Sequence, residues 1–438
     1  MPRAAISFYY ARMLPTAALP AERAQVSAPH WTMLQCWAFR VLFIYFILDA
    51  LPDLLLRLPG GTAVLGLYWK TWNAVLPSFG ANVLQMPDPQ RLVLPISTAL
   101  LGDFAGAYVL MLVFLLLAVI VATIWTIADP RRSDHRALHG WLRVYVRYAL
   151  AFSMLGYGIS KLFHVQFRPL DLVDLMTPLG MLQPRELLWD YMGFSRTYQI
   201  FTGVVECLGV ALLFFRRTTL LGSLILIGSL TNILVIDIAY GMSVRRIALR
   251  LLLLALFLAA VDLRRLANWL LLHRPAAPVH IDPPLLANLW ARRMALAVKI
   301  IVIATVVASR AMESYQERTL VHAARPALYG LFSVQRIVRD GREVASEDSR
   351  SWNWVAIDGR SVAIGSANAA WERRRATFDD ARQSITLSSG RQSKSVLTYS
   401  GDGDNVRMAG VLDDHPTDIV LRRVPEPRFA LQGATRVR

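Results

Sequence analysis

The sequence predicts an α-helical, multi-spanning membrane bundle of about seven transmembrane helices, followed by a small, barrel-like all-β domain outside the membrane. Three observations carry that expectation. The 438 residues are 55% hydrophobic and only 18% charged, with a mean hydropathy of +0.40, which excludes a disordered chain and argues against an ordinary soluble enzyme. Apolar runs long enough for a bilayer recur as far as residue 312. Beyond residue 326 they give way to short alternating runs divided by turn residues.

The charge fits the same picture. There are 47 Lys and Arg against 31 Asp and Glu, a formal +16, and only Lys70, Lys161, Lys299 and Lys394 are lysines. Residues 1–312 hold 28 basic and 15 acidic side chains, and residues 313–438 hold 19 and 16. The excess therefore belongs to the apolar part, where it fits loops at a lipid surface rather than a nucleic-acid partner. Cys36 and Cys207 both lie inside apolar runs without a CxxC pattern, and no histidines have HxH or HExxH spacing. Disulfide frameworks and metal sites are not expected.

A bilayer core needs roughly 20 apolar residues per helix. Seven spans are expected, at 36–52, 104–128, 139–160, 197–215, 218–238, 246–262 and 294–312. Residues 1–30 carry Arg3, Arg12 and Arg23 without a cleavable signal pattern, and are read as a short, partly disordered cytoplasmic tail. Residues 31–138 hold the first two spans, with the Trp- and Tyr-rich stretch 62–79 as an amphipathic or re-entrant outer piece. Residues 139–265 form a four-helix core in which 163–196, rich in Pro and aromatic residues, make an outer cap. Residues 266–293 are a cytoplasmic loop, and 294–312 the last span. Short-loop arginines (131, 132, 136, 216, 217, 264, 265, 274, 292, 293) place the N-terminus in the cytoplasm. The tail is then periplasmic, in a bacterial inner membrane.

In the tail, 326–438, Asp340-Gly341 and Asp358-Gly359 separate strand-like runs, and further runs fall at 383–388, 394–399, 405–412 and 417–424. Such spacing predicts an antiparallel meander closed as a small barrel. The stretch Asp402 to Asn405 lacks the later ligands of a calcium loop and is read as a turn. Arg373, Arg374 and Arg375 are read as a solvated edge, with an anionic ligand or headgroup as the alternative.

Charged groups inside spans mark either a site or a buried structural pair. Glu206 falls about 13 Å from the outer end of its span. Lys161 ends the preceding span on the same side, with Tyr157 one turn beneath it. Asn232 and Asp237 occupy the outer half of the next span, and Arg250 lies about a turn inside the one after. With Asp49, Asp53 and Asp103 these groups are expected to converge on one outer-leaflet cavity, or to neutralise one another as Lys161–Glu206 and Arg250–Asp237 pairs. Arg143, Arg147 and Lys299 are read as snorkelling to headgroups. His164 and Trp189 in the cap are read as packing residues.

The stretch 147–163 (RYALAFSMLGYGISKLF) and the helices that follow resemble the DoxX-like family of membrane proteins. Gly158 and Lys161 match its first signature, and Glu206 with Gly209 its second. The resemblance implies a four-helix core over about 147–265. It also implies a possible link to quinone-dependent redox complexes, with a bound quinone or a membrane redox partner, since no haem, flavin or Fe–S ligand pattern is present. The β tail resembles a lipocalin-type barrel, which implies the alternative of a non-enzymatic lipid or amphiphile handler; such barrels either hold one apolar ligand or are filled by their own side chains. A weaker kinship, with the helical domain that vitamin K-dependent carboxylases carry, brings no matching catalytic residue. The sequence assigns no reaction.

Overall fold

The computed structural model describes residues 31–56, 61–94, 102–130, 134–275, 288–321, 326–344, 352–358, 361–366, 371–389, 393–401 and 404–425. The expected N-terminal tail, 1–30, lies outside the described residues. Helix α1 (Met33–Leu55) opens on a reciprocal cap in which Thr32 and Gln35 bond each other's backbone N–H. It is followed by α2 (Gly61–Asn82), α3 (Ala105–Ala128) and α4 (Arg136–Leu162). Two short helices, α5 (Leu172–Met176) and α6 (Pro184–Phe194), form the cap. Then come α7 (Arg196–Leu213), α8 (Thr219–Ala239), α9 (Arg245–Ala260), α10 (Leu263–Leu270) and α11 (Leu289–Val321).

Three helical stretches, Ala105–Ala128, Arg216–Ala239 and Leu289–Thr319, are long and apolar enough to cross a membrane, which makes this a membrane protein by length and composition. α4 is the centre of the bundle and packs against α1, α7, α9 and α11. Its Leu142, Val146 and Leu150 meet Leu213, Leu226 and Leu254 in one buried cluster. Gly158 and Gly203 bring α4 and α7 together: a Cβ on Gly203 would stand 2.9 Å from the Gly158 carbonyl oxygen. Close contact through small residues is how helices associate in lipid.

The stretch 62–79, expected as an amphipathic or re-entrant piece, lies in one continuous helix. Its aromatic residues face protein: Trp69 is buried, Trp72 meets Phe114 edge-on at 4.8 Å, and the Tyr68 hydroxyl donates to the Leu48 carbonyl. Part of the expected loop 266–293 is also helical, since α10 follows α9 almost directly.

Strands β1 (Gly330–Arg339), β2 (Arg342–Glu343), β3 (Trp352–Ile357), β4 (Ser361–Ser366), β5 (Trp371–Asp379), β6 (Ser384–Ser389), β7 (Ser393–Gly401), β8 (Asn405–Leu412) and β9 (His415–Arg423) form an antiparallel meander. β1 pairs with both β3 and β9, which closes eight strands into a barrel, with β2 a short return off β1. Asp340 and Gly341 both take positive φ, as the tight turn before β2 requires. β7 and β8 pair as far as Gly401 opposite Val406, and the expected turn residues 402 and 403 lie outside the described residues. Alternate residues of each strand, among them Ile357, Val362, Ile385, Leu397, Met408 and Leu421, fill the barrel with one apolar cluster. The inward-facing side chains thus pack on one another in the barrel interior.

Candidate functional site

The Lys161 ammonium and the Glu206 carboxylate are in contact between α4 and α7, with both side chains buried. Helix C-terminal geometry supports the lysine: His164 turns back with φ +61°, and its Nδ1 lies 3.1 Å from the Lys161 carbonyl oxygen. Glu206 Oε2 has no hydrogen-bond partner among the described residues. Tyr157 is half-buried one turn away, within electrostatic range of Glu206, Arg246 and Asp237.

The structure pairs Arg250 differently from the sequence expectation. Its guanidinium meets Asp49 at 3.2 Å and also contacts Asp53, both on α1, and not Asp237. The reason is helix order: α9 faces α4, and the C-terminal end of α1 lies across the same groove, where Ser153 also bonds Asp53 at 2.9 Å. Asp49, Arg246, Arg250 and Tyr68 line a cavity of about 20 Å³, room for about one water. Asp103 does not join that pocket either. It accepts from the backbone N–H groups of Arg245 and Arg246 at 3.1 and 3.0 Å, and from the Arg245 side chain, and so caps α9. Asp237 is buried with Oδ2 unpartnered among the described residues, while Asn232 lies on the exposed face of α8. The buried groups thus pair as Lys161 with Glu206 and as Arg250 with Asp49 and Asp53, while Tyr157 and Asp237 lie within electrostatic range of the first pair and Asn232 sits on an exposed face.

Other polar residues are placed as follows. Arg147 is buried and faces the Tyr148 ring, and Lys299 donates to the Phe214 carbonyl at the end of α7. Arg40, which sequence reading missed, is almost wholly buried: it donates to Thr126 at 2.9 Å, to His135 at 3.2 Å and to the Asp129 carbonyl at 3.2 Å. An arginine in the first apolar run was its only signal.

The cap and the barrel meet. Leu172 and Val173 of α5 pack on Leu331, Ala356 and Ala363, which point outward from the barrel. Arg373 on β5 reaches across to Asp171 at 2.6 and 3.2 Å and to Asp174 at 3.4 Å, while Arg168 holds the same two carboxylates. Burial pushes the Asp171 carboxyl up, but Arg373 and Arg168 more than offset this and hold it below the usual carboxylate range. Burial and then the neighbouring Asp171 charge push Asp174 up to about 6. Arg373 is therefore tied to the cap carboxylates and is not a freely solvated edge. Arg374 turns the other way and meets Asp413 at 2.8 and 2.9 Å, tying β5 to the β8–β9 turn.

Beside this contact is a cleft of about 780 Å³. Its walls are Met181, Leu182 and Trp189 of the cap, Met242 in the α8–α9 turn, and Trp371 of the barrel. Arg168, Arg185 and Arg373 face Asp174, Glu186 and Asp190 around it. Trp189 stands edge-on to Phe167 at 4.8 Å, so the packing expected of it is present while the residue also lines the cleft. Leu179, Met181, Leu187 and Tyr191 are exposed on the cap.

No family model matches the chain. One curated relative, an uncharacterised protein YwoB of Bacillus subtilis (strain 168), is 28% identical over 135 residues, 31% of this chain and 83% of that protein. No solved structure matches.

Proposed function

We propose that this is a DoxX-like inner-membrane protein of seven crossings that binds an amphiphile from the outer leaflet in the cleft between cap and barrel. In this reading the N-terminus is cytoplasmic, residues 139–265 are the DoxX-like core, and the β domain is periplasmic. The observation that carries it is the cleft: about 780 Å³ falls within the range of ligand sites. Two tryptophans and two methionines offer an apolar channel, and six charged groups of both signs offer a polar end for a headgroup. The exposed Leu179, Leu187 and Tyr191 suit an interface beside it. This reading seats the ligand in the cleft and not in the barrel, whose inward-facing side chains pack on one another. The test is mass spectrometry of solvent extracts of the purified full-length protein. An amphiphile near one per chain is expected, reduced tenfold or more in Trp189→Asp and Trp371→Asp; equal recovery from all three rejects the cleft.

A second reading, a quinone- or proton-linked site at Lys161 and Glu206, is supported by the unpartnered buried oxygens of Glu206 and Asp237. Neither cavity described above is lined by Lys161 or Glu206, so the pair fits a packing role better. Quinone titration of the wild-type protein and Glu206→Gln decides it: binding lost in the variant supports the second reading, and no binding by the wild type ends it.

A further inference from the structure

At the opposite end of the bundle from the cleft, three cations converge with no carboxylate paired to them among the described residues. Arg147 of α4, Arg216 of the α7–α8 turn and Lys299 of α11 lie within electrostatic range of one another. Among the described residues, none of the three forms a salt bridge. Arg147 is 8% exposed, and its Nε is buried with no hydrogen-bond partner; its neighbours are Tyr148, over whose ring the guanidinium lies at 5.2 Å, and the further cation Arg143. Lys299 spends one of its three donors on the Phe214 carbonyl. An uncompensated positive cluster of this kind in low dielectric is costly unless an anion completes it.

We propose that this cluster binds the headgroup of an anionic phospholipid in the leaflet on that side. The cluster sits at the short α7–α8 turn, where Phe215 is 63% exposed, so it borders lipid. A second feature lies on the same side. α9 runs antiparallel to α8 and delivers α10 to that end, and α10 exposes Leu263, Trp269 and Leu270 beside Arg264, the pattern of an interfacial helix. Basic pockets between helices recognise anionic lipids through the headgroup phosphate. A soluble phosphate would share that chemistry but would not need the apolar surround.

The experiment is native mass spectrometry of the full-length protein with phosphatidylglycerol, with phosphatidylcholine, or with inorganic phosphate. Phosphatidylglycerol retention is expected to fall about fivefold in each of Lys299→Gln and Arg216→Gln. Retention stays unchanged in Arg318→Gln, at the far end of α11. Equal retention of phosphatidylcholine, an equal response to inorganic phosphate, or undiminished phosphatidylglycerol in the Lys299→Gln/Arg216→Gln double variant would each overturn the proposal. Both residues are half-buried or exposed, so the variants are expected to fold, and a thermal melt within a few degrees of wild type confirms that the loss is one of binding.

Discussion

Arg373→Ala is predicted to loosen the cap from the barrel. The guanidinium makes two bonds to Asp171 at 2.6 and 3.2 Å and a weaker one to Asp174 at 3.4 Å, with its side chain 31% exposed. Charge-assisted bonds contribute about 1.5–3 kcal/mol each when buried. Partial exposure and the continued presence of Arg168 bring the expected loss to about 2 kcal/mol in total. The apolar contact of Leu172 and Val173 with Leu331, Ala356 and Ala363 is untouched, so the cap opens more often but does not unfold. A change of about 2 kcal/mol is a roughly thirtyfold rise in opening, read as faster hydrogen exchange in peptides covering 171–176. Arg373→Lys restores the charge without the fork and falls between the two. Exchange within about threefold of wild type, or a loss of protection spread equally through α4 and α7, would refute the reasoning.

The buried pair gives a sharper mutational signature. Lys161→Met or Glu206→Leu alone should cost about 3–5 kcal/mol by leaving one buried charge unpaired, and the double variant should recover most of it; denaturant melts in detergent check this. Gly203→Ala drives a methyl into the Gly158 carbonyl at 2.9 Å and should destabilise by about 1–3 kcal/mol in the same melts. The cap should tolerate mild acid. Asp174, raised to about 6, opposes folding while ionised, so its contribution to stability rises as pH falls through that value. Asp171, held below the usual range, stabilises above that range and loses its contribution only as pH falls through its own depressed value. Protection of 171–176 should therefore hold or increase between pH 7.5 and 5 and collapse below about 4, and Asp174→Asn should remove the gain at pH 5. A loss of protection already at pH 5 in the wild type would contradict this account.

Helix positions were legible because lipid-length apolar runs are dense, and α1, α3, α4, α7, α8, α9 and α11 all fall on expected runs. The strands were legible because turns interrupt a period-two pattern, and the meander left one plausible order. The Lys161–Glu206 contact followed from shared depth on consecutive apolar runs, now α4 and α7. Depth alone misassigned Arg250, since Asp237, Asp49 and Asp53 all lie toward the same ends of their helices and only the packing order around α4 selects among them. The aromatic residues of α2 carried the composition of an interface yet pack on α1 and α3. Arg373 shows the same limit in the barrel: alternation turns it outward, but what covers the outside of a strand is set by the cap, 202 residues away. The cleft itself, formed by three separated segments, has no sequence signature.

The most direct test of the central claim is photolabelling of the full-length protein in liposomes with a lipid that carries a photoreactive group on its acyl chain, followed by peptide mapping. Binding in the cleft predicts competitor-sensitive label on peptides containing Met181 to Trp189, Met242 and Trp371. Label confined to the lipid-facing surfaces of α3, α8 and α11, with none in the cleft, would contradict it.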